Sequence, residues 1–128
     1  MGMITDHFSE NEMKCKSSGD CKMVPEFMEA LESIRVDLGK PMIVSSGYRC
    51  PEYNDQVSSS GLTGPHTTGR AVDIVCSGGD ALKLIELGLK HGMTGIGVSQ
   101  KGEHSKRFIH LDMLIPNMSK PRPWIWSY

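Results

Sequence analysis

The sequence predicts an α+β domain, with helices packed on one face of a small, mainly antiparallel sheet. Three observations carry that prediction. Between Val24 and Leu38 apolar residues recur at helical spacing, with Pro25 opening the run and Gly39 closing it. Ala71–Val75 and Phe108–Met113 alternate with a period of two instead, as strands do. Finally, 128 residues suffice for one domain with a single core and are too few for two comfortable ones.

Taken in order, residues 1–7 read as a flexible leader. Phe8 to Met13 holds a capping box, Ser9 with Glu12 three residues on, and so a short helix. A Cys/Gly/Ser loop runs through Lys16–Asp20. The helix opened by Pro25 turns Val24, Phe27, Met28, Leu31, Ile34 and Leu38 inward, and Glu26, Glu29, Glu32, Arg35 and Asp37 to water. Pro41 leads into a short strand, Met42–Ser46, and Pro51 opens a helical turn to Val57. Ser58–Pro65 is a loop of turn residues ending at His66. After the strand to Cys76, Ser77–Asp80 caps a second amphipathic helix, with Ala81, Leu82, Leu84, Ile85 and Leu89 as its apolar positions and a stop near Gly92. Thr94–Ser99 reads as a strand whose glycines permit close backbone approach. The polar connection Gln100–Lys106 suggests a hairpin into the last strand. The tail, 115–128, sets Trp124 and Trp126 among Pro116, Pro121 and Pro123 and reads as a cover packed on the core.

Composition excludes several classes. Hydrophobic content of 38% and charged content of 23% suit a globular chain rather than a disordered one. A net charge of −1 makes no electrostatic case for nucleic acid or an anionic membrane. No apolar run approaches the ~20 residues of a membrane span, and the N-terminus lacks the basic and apolar regions of a signal peptide. The expectation is a monomer that stays in the cytoplasm as written, unless a lysis event, a phage particle or a missing leader moves it. The spacing of Cys15, Cys21, Cys50 and Cys76 lacks a tight C-x-x-C pair, which favours small, partly buried thiols over a four-thiolate zinc site. A Cys15–Cys21 or Cys15–Cys50 bridge stays open.

Chemistry concentrates in two stretches. His66 ends a turn-rich loop and Asp73 interrupts an otherwise apolar strand seven residues later. A carboxylate on a buried strand requires a partner, be it a metal, a basic side chain or backbone amides. On the last strand His110 and Asp112 share one face, with Ile109, Leu111 and Met113 on the other. Two histidines and one aspartate from two strands and a loop make a three-ligand site with room for water, a pattern of zinc enzymes. Hydrogen-bonding roles for the same residues are the alternative.

His66-x-x-Gly69-Arg70-Ala71-x-Asp73-Ile74, then Phe108-Ile109-His110-x-Asp112, resembles the zinc D-alanyl-D-alanine carboxypeptidase and murein endopeptidase family. Ser46-Gly47-Tyr48-Arg49-Cys50-Pro51-x-Tyr53-Asn54 adds a third block in the right order, and the resemblance runs from about Phe8 to the end of the His110 strand. It implies a hedgehog/DD-peptidase-like fold, Zn2+ as cofactor, and His66, Asp73 and His110 as ligands. It also implies hydrolysis of peptidoglycan stem-peptide amides that involve a D-amino acid, as endopeptidase or carboxypeptidase. Arg49 is implied to hold a substrate carboxylate or developing oxyanion, with Tyr48 and Asn54 in the same substrate-binding block. The family's acid shortly before the last histidine is missing, since Arg107 stands three residues before His110. Asp112 as base or orienter comes first in its place, then Glu103, then His104. The plain alternative for Asp112 is a salt bridge with Arg49 or Arg70. Gly64 stands where the family usually has a serine. Hedgehog signalling domains resemble this family and use the fold for binding, so a non-catalytic zinc-binding peptide-recognition or phage structural module is the rival reading.

Overall fold

The computed structural model describes residues 2–116 and 120–128; Met1 and residues 117–119, parts of the expected leader and tail, lie outside the described residues. One sheet carries the fold, built from Ile43–Ser46 (β1), Ala71–Val75 (β2), Gly95–Ser99 (β3), Phe108–Asp112 (β4) and Trp124–Ser127 (β5). Its spatial order is β1-β2-β4-β3-β5. The pairs β1–β2, β2–β4 and β4–β3 are antiparallel, and β5 runs parallel to β3. The helices are Glu10–Met13 (α1), Pro25–Leu38 (α2), Pro51–Val57 (α3) and Gly78–Lys90 (α4). The α+β architecture with a mainly antiparallel sheet is therefore what the chain adopts.

The two-residue period of the strands divides the sheet into two chemistries. Val72 and Ile74 of β2, Ile109 and Leu111 of β4 and Ile96 of β3 join Phe27, Met28, Leu31 and Ile34 of α2 and Ala81, Leu84 and Leu87 of α4 in one apolar cluster. Each of the larger side chains among them contributes about 1.5–3 kcal/mol relative to exposure. The opposite face of the same strands carries Asp73, His110 and Asp112. Local signals set the helix ends: Pro25 occupies the first turn of α2, and Gly39 ends it in a left-handed conformation at φ 72°. The Ser9–Glu12 capping box forms at α1.

Three segments depart from the sequence-based reading. On α4 the buried positions are Ala81, Leu84, Leu87 and Gly88, whereas Leu82 is 72% and Leu89 59% exposed. At 3.6 residues per turn those two leucines fall roughly 140° from the centre of the buried stripe. The described part of the leader folds back: Met3 bridges to Ser9, and Ile4 N–H donates to Phe8 O at 2.8 Å. The tail supplies the fifth strand, and its tryptophans lie outside the apolar core; Trp124 is 55% exposed.

Candidate metal centre

Strand register assembles the site before any side chain is considered. Ser46 pairs with Asp73, Asp73 with His110, His110 with Gly97, and Gly97 with Trp126, so one rung crosses all five strands. The next rung on the same face, two residues along, runs Ala71, Asp112, Gly95, Trp124. Both β3 positions are glycine, and both need to be. A Cβ on Gly95 would run into the Asp112 carboxylate, and one on Gly97 into the Trp126 indole. The close approach expected of these glycines thus has two definite occupants.

His66 arrives from the 3₁₀ turn Pro65–Thr68, which Gly69 ends at φ 74°. Its Nδ1–H donates to Gly47 O at 2.8 Å, leaving Nε2 as the free acceptor, 3.3 Å from Asp73 Oδ1. At His110 the anchored nitrogen is the other one. Its Nε2–H donates to Asp112 Oδ2 at 2.7 Å, and Nδ1 lies 3.0 Å from Asp73 Oδ1. The donor atoms of His66, Asp73 and His110 all lie within 4.8 Å of one another, and all three residues are buried. Two imidazoles, each with its second nitrogen anchored, and one carboxylate form a donor set that suits zinc and leaves a fourth position for water or substrate.

Electrostatics reinforce the arrangement. Burial favours the neutral acid at Asp73, but the His66 and His110 imidazoles outweigh it and hold the carboxyl well below the usual carboxylate range. Burial pushes the His66 imidazole down, against the pull of Asp73, so it favours the neutral form that binds a metal. At His110 burial acts in the same direction, yet the hydrogen bonds to Asp112 and Asp73 prevail and raise it. A cation at Nδ1 would replace that extra proton.

Arg49 reaches the site from the turn between β1 and α3. Its Nε donates to Ser46 Oγ at 3.0 Å, Nη1 donates to Asn54 Oδ1 at 3.1 Å, and Nη2 stands 3.7 Å from Asp73 Oδ2. Asn54 is fully buried and spends its amide on Ser60 Oγ and Gly61 O, so it braces the guanidinium and does not face the cleft. Tyr48 is buried, and its N–H donates to Met13 O. Gly64 also has a local reason: a Cβ there would meet Ser60 Oγ and Asn54 Nδ2.

Asp112 has no exposed surface and is bound by Arg122 through Nε to Oδ1 at 2.9 Å and Nη2 to Oδ2 at 2.8 Å. The partner is thus neither Arg49 nor Arg70, because β5 and the chain leading into it return over the Asp112 rung. His104 borders a second cavity with Cys76 and Asp80, away from the metal ligands, and Glu103 lines neither cavity. Of the four cysteines, all free, Cys15 and Cys50 come together at 3.5 Å between sulfurs.

Over the ligands opens a cleft of 550 Å³ whose far wall is the tail. Trp126 lies 5.0 Å from the His110 ring between centroids, and Tyr128 packs 5.0 Å from Phe108. Burial and the Asp73 charge push the Tyr128 phenol up, so its hydroxyl remains a neutral donor at the cleft. Lys120 and Arg122 complete that wall, and Asp73 is the one carboxylate lining the cleft among the described residues. Sequence reasoning missed this wall. The available signal was the alternation Trp124-x-Trp126-x-Tyr128, which puts three aromatics on one strand face.

A mainly antiparallel α+β fold thus sets a buried group of two histidines and one aspartate, able to hold a metal ion, at the floor of an open cleft. The chain belongs to the Peptidase M15 family, whose sequence profile matches residues 6–112. Among curated proteins none matches the chain.

Proposed function

We propose that this chain is a zinc peptidase that hydrolyses amide bonds involving D-amino acids in peptidoglycan stem peptides. The observation that carries the reading is the convergence of His66 Nε2, Asp73 Oδ1 and His110 Nδ1 in a chain of the Peptidase M15 family. When bound there, zinc supplies a Lewis acid for the scissile carbonyl and a water acidified to about neutral pH. The chain's residues do the rest. Gly47 O and Asp112 fix the two imidazole tautomers, and Arg49, braced by Ser46 and Asn54, presents a guanidinium to a substrate carboxylate or developing oxyanion. Trp126 and Tyr128 wall the peptide's path and exclude water. Asp112, saturated by His110 and Arg122, serves as the orienter of His110 and not as a proton carrier.

One observation favours the non-catalytic reading: Asp73 is the single carboxylate lining the cleft among the described residues, so no second acid stands ready to move a proton. Zinc content and release of new amines from purified peptidoglycan, on wild type and His66→Ala, separate the two. Stoichiometric zinc with amine release that His66→Ala or chelation abolishes supports the peptidase. Bound zinc without release from several wall types favours the binding module, and full hydrolysis after thorough chelation refutes the zinc mechanism.

A further inference from the structure

We propose that Arg122, in the tail beyond the family-matched residues, is a positioning residue that sets the metal affinity of the centre by locking Asp112 and, through it, the His110 ring. This rests on reading the three-donor cluster as a metal site. The Asp112 carboxylate receives four N–H groups: Arg122 Nε and Leu114 N on Oδ1, Arg122 Nη2 and His110 Nε2 on Oδ2. Both oxygens are thereby committed, and the carboxylate plane cannot turn.

The guanidinium is equally constrained. Its Nη1 donates to Pro121 O at 2.6 Å, its Cζ sits 5.1 Å from the Trp126 ring centroid, and its side chain is only 3% exposed. An arginine so fully enclosed, with every nitrogen and one face assigned, is held for geometry.

What that geometry controls is a choice between two nitrogens. With Oδ2 held as an acceptor beside Nε2, the His110 proton belongs on Nε2 and the ring's lone pair on Nδ1. Nδ1 is the atom that faces Asp73 and His66. A carboxylate free to rotate would allow the ring to rotate or to exchange tautomers, and the donor set would then be complete only part of the time. Gly95 belongs to the same device, since any side chain there would occupy the volume of the locked carboxylate. Arg122 touches neither His66, Asp73 nor His110 by hydrogen bond; its hydrogen-bonded link to the centre runs through Asp112.

The test measures zinc affinity by competition with a chromophoric chelator, using the full chain as wild type, Arg122→Lys, Arg122→Gln, Asp112→Asn and the Arg122→Gln/Asp112→Asn double variant. Loss of an outer partner of a ligating histidine typically lowers metal affinity 10–100-fold. That loss is expected for Arg122→Gln, with a smaller one for Arg122→Lys, which keeps the charge and loses the fork. In the Asp112→Asn background Arg122→Gln should add nothing further. A folded Arg122→Gln with wild-type affinity overturns the proposal, and so does an equal loss in both backgrounds. Nitrogen-15 NMR of the zinc-loaded wild type decides the matter even if the variants fail to fold: a His110 proton on Nε2 is required, and one on Nδ1 overturns the inference. If the wild type itself binds no zinc, the metal reading of the centre falls and this proposal with it. Unchanged affinity in the variants overturns this proposal alone.

Discussion

Gly97→Ala isolates the contact that seats the tail on the sheet. The backbone of Gly97 is not in the left-handed region, so alanine fits the strand and any penalty comes from the new methyl group. That methyl would stand 2.8 Å from Cε2 and Nε1 and 2.9 Å from Cζ2 of Trp126. Carbon atoms prefer about 3.5–4.0 Å, so the indole must retreat by roughly 0.7 Å or more. It has little freedom to do so, with His110 and Arg122 packed on it at 5.0 and 5.1 Å and Tyr128 edge-on at 6.4 Å. Overpacking of this kind costs about 1–3 kcal/mol. Urea denaturation of the metal-free protein should show that loss as a lower midpoint with an unchanged slope, and tryptophan emission should shift as the ring moves. In a Trp126→Ala background the obstacle is gone, and Gly97→Ala should be neutral or slightly stabilising because the unfolded chain loses freedom. A penalty of the same size in both backgrounds refutes the reasoning and puts the strain in the strand itself.

Two further outcomes are expected of the protein. Burial opposes ionisation of Asp112, but hydrogen bonds from His110 and Arg122 bring its carboxyl from 3.8 down to about 2. A folded-state value below the unfolded one gives stability that is complete above about pH 5 and is lost as pH falls through about 2, worth roughly 2 kcal/mol. Acid unfolding of metal-free wild type against Asp112→Asn should show their stability difference shrinking over that window; a constant difference contradicts it. At Cys15 burial opposes the thiolate, yet the N–H groups of Cys50, Ser18 and Ser17 and the Ser18 hydroxyl bring it down to about 6, whereas burial and Asp80 push Cys76 up to about 11. Thiolate absorbance should rise through about pH 6 and lose that step in Cys15→Ser; no thiolate signal at neutral pH refutes the assignment.

What the sequence made legible was what neighbours along the chain decide. Period-two alternation separated Asp73 and His110 from Ile74 and Ile109, and so yielded both faces of β2 and β4. Pro25 and Gly39 framed α2 because their backbone demands are local. Less legible was everything set by which strand lies beside which. Trp126 meets His110 only because β5 docks parallel on β3, a pairing made across a long stretch of chain and obscured by Pro121 and Pro123. For the same reason Arg122 was not foreseen as the partner of Asp112. Glu103 and His104 stood close enough to His110 in sequence to suggest a role. The short turn His104–Lys106 sits beyond the end of β4, past Phe108, whereas the metal donors lie near the strand's middle.

The rung from Ser46 through Asp73, His110 and Gly97 to Trp126 also acts as a check on assembly. If β4 slid by one residue against its neighbours, His110 and Asp112 would turn into the apolar layer beneath α2 and α4, and Ile109 and Leu111 would face the cleft. Placing ionisable side chains there is so unfavourable that the misaligned pairing has no stable basin to occupy. The residues that would hold the metal therefore also act as alignment marks, and a chain able to bind zinc at this point has, by that fact, aligned its central strands correctly.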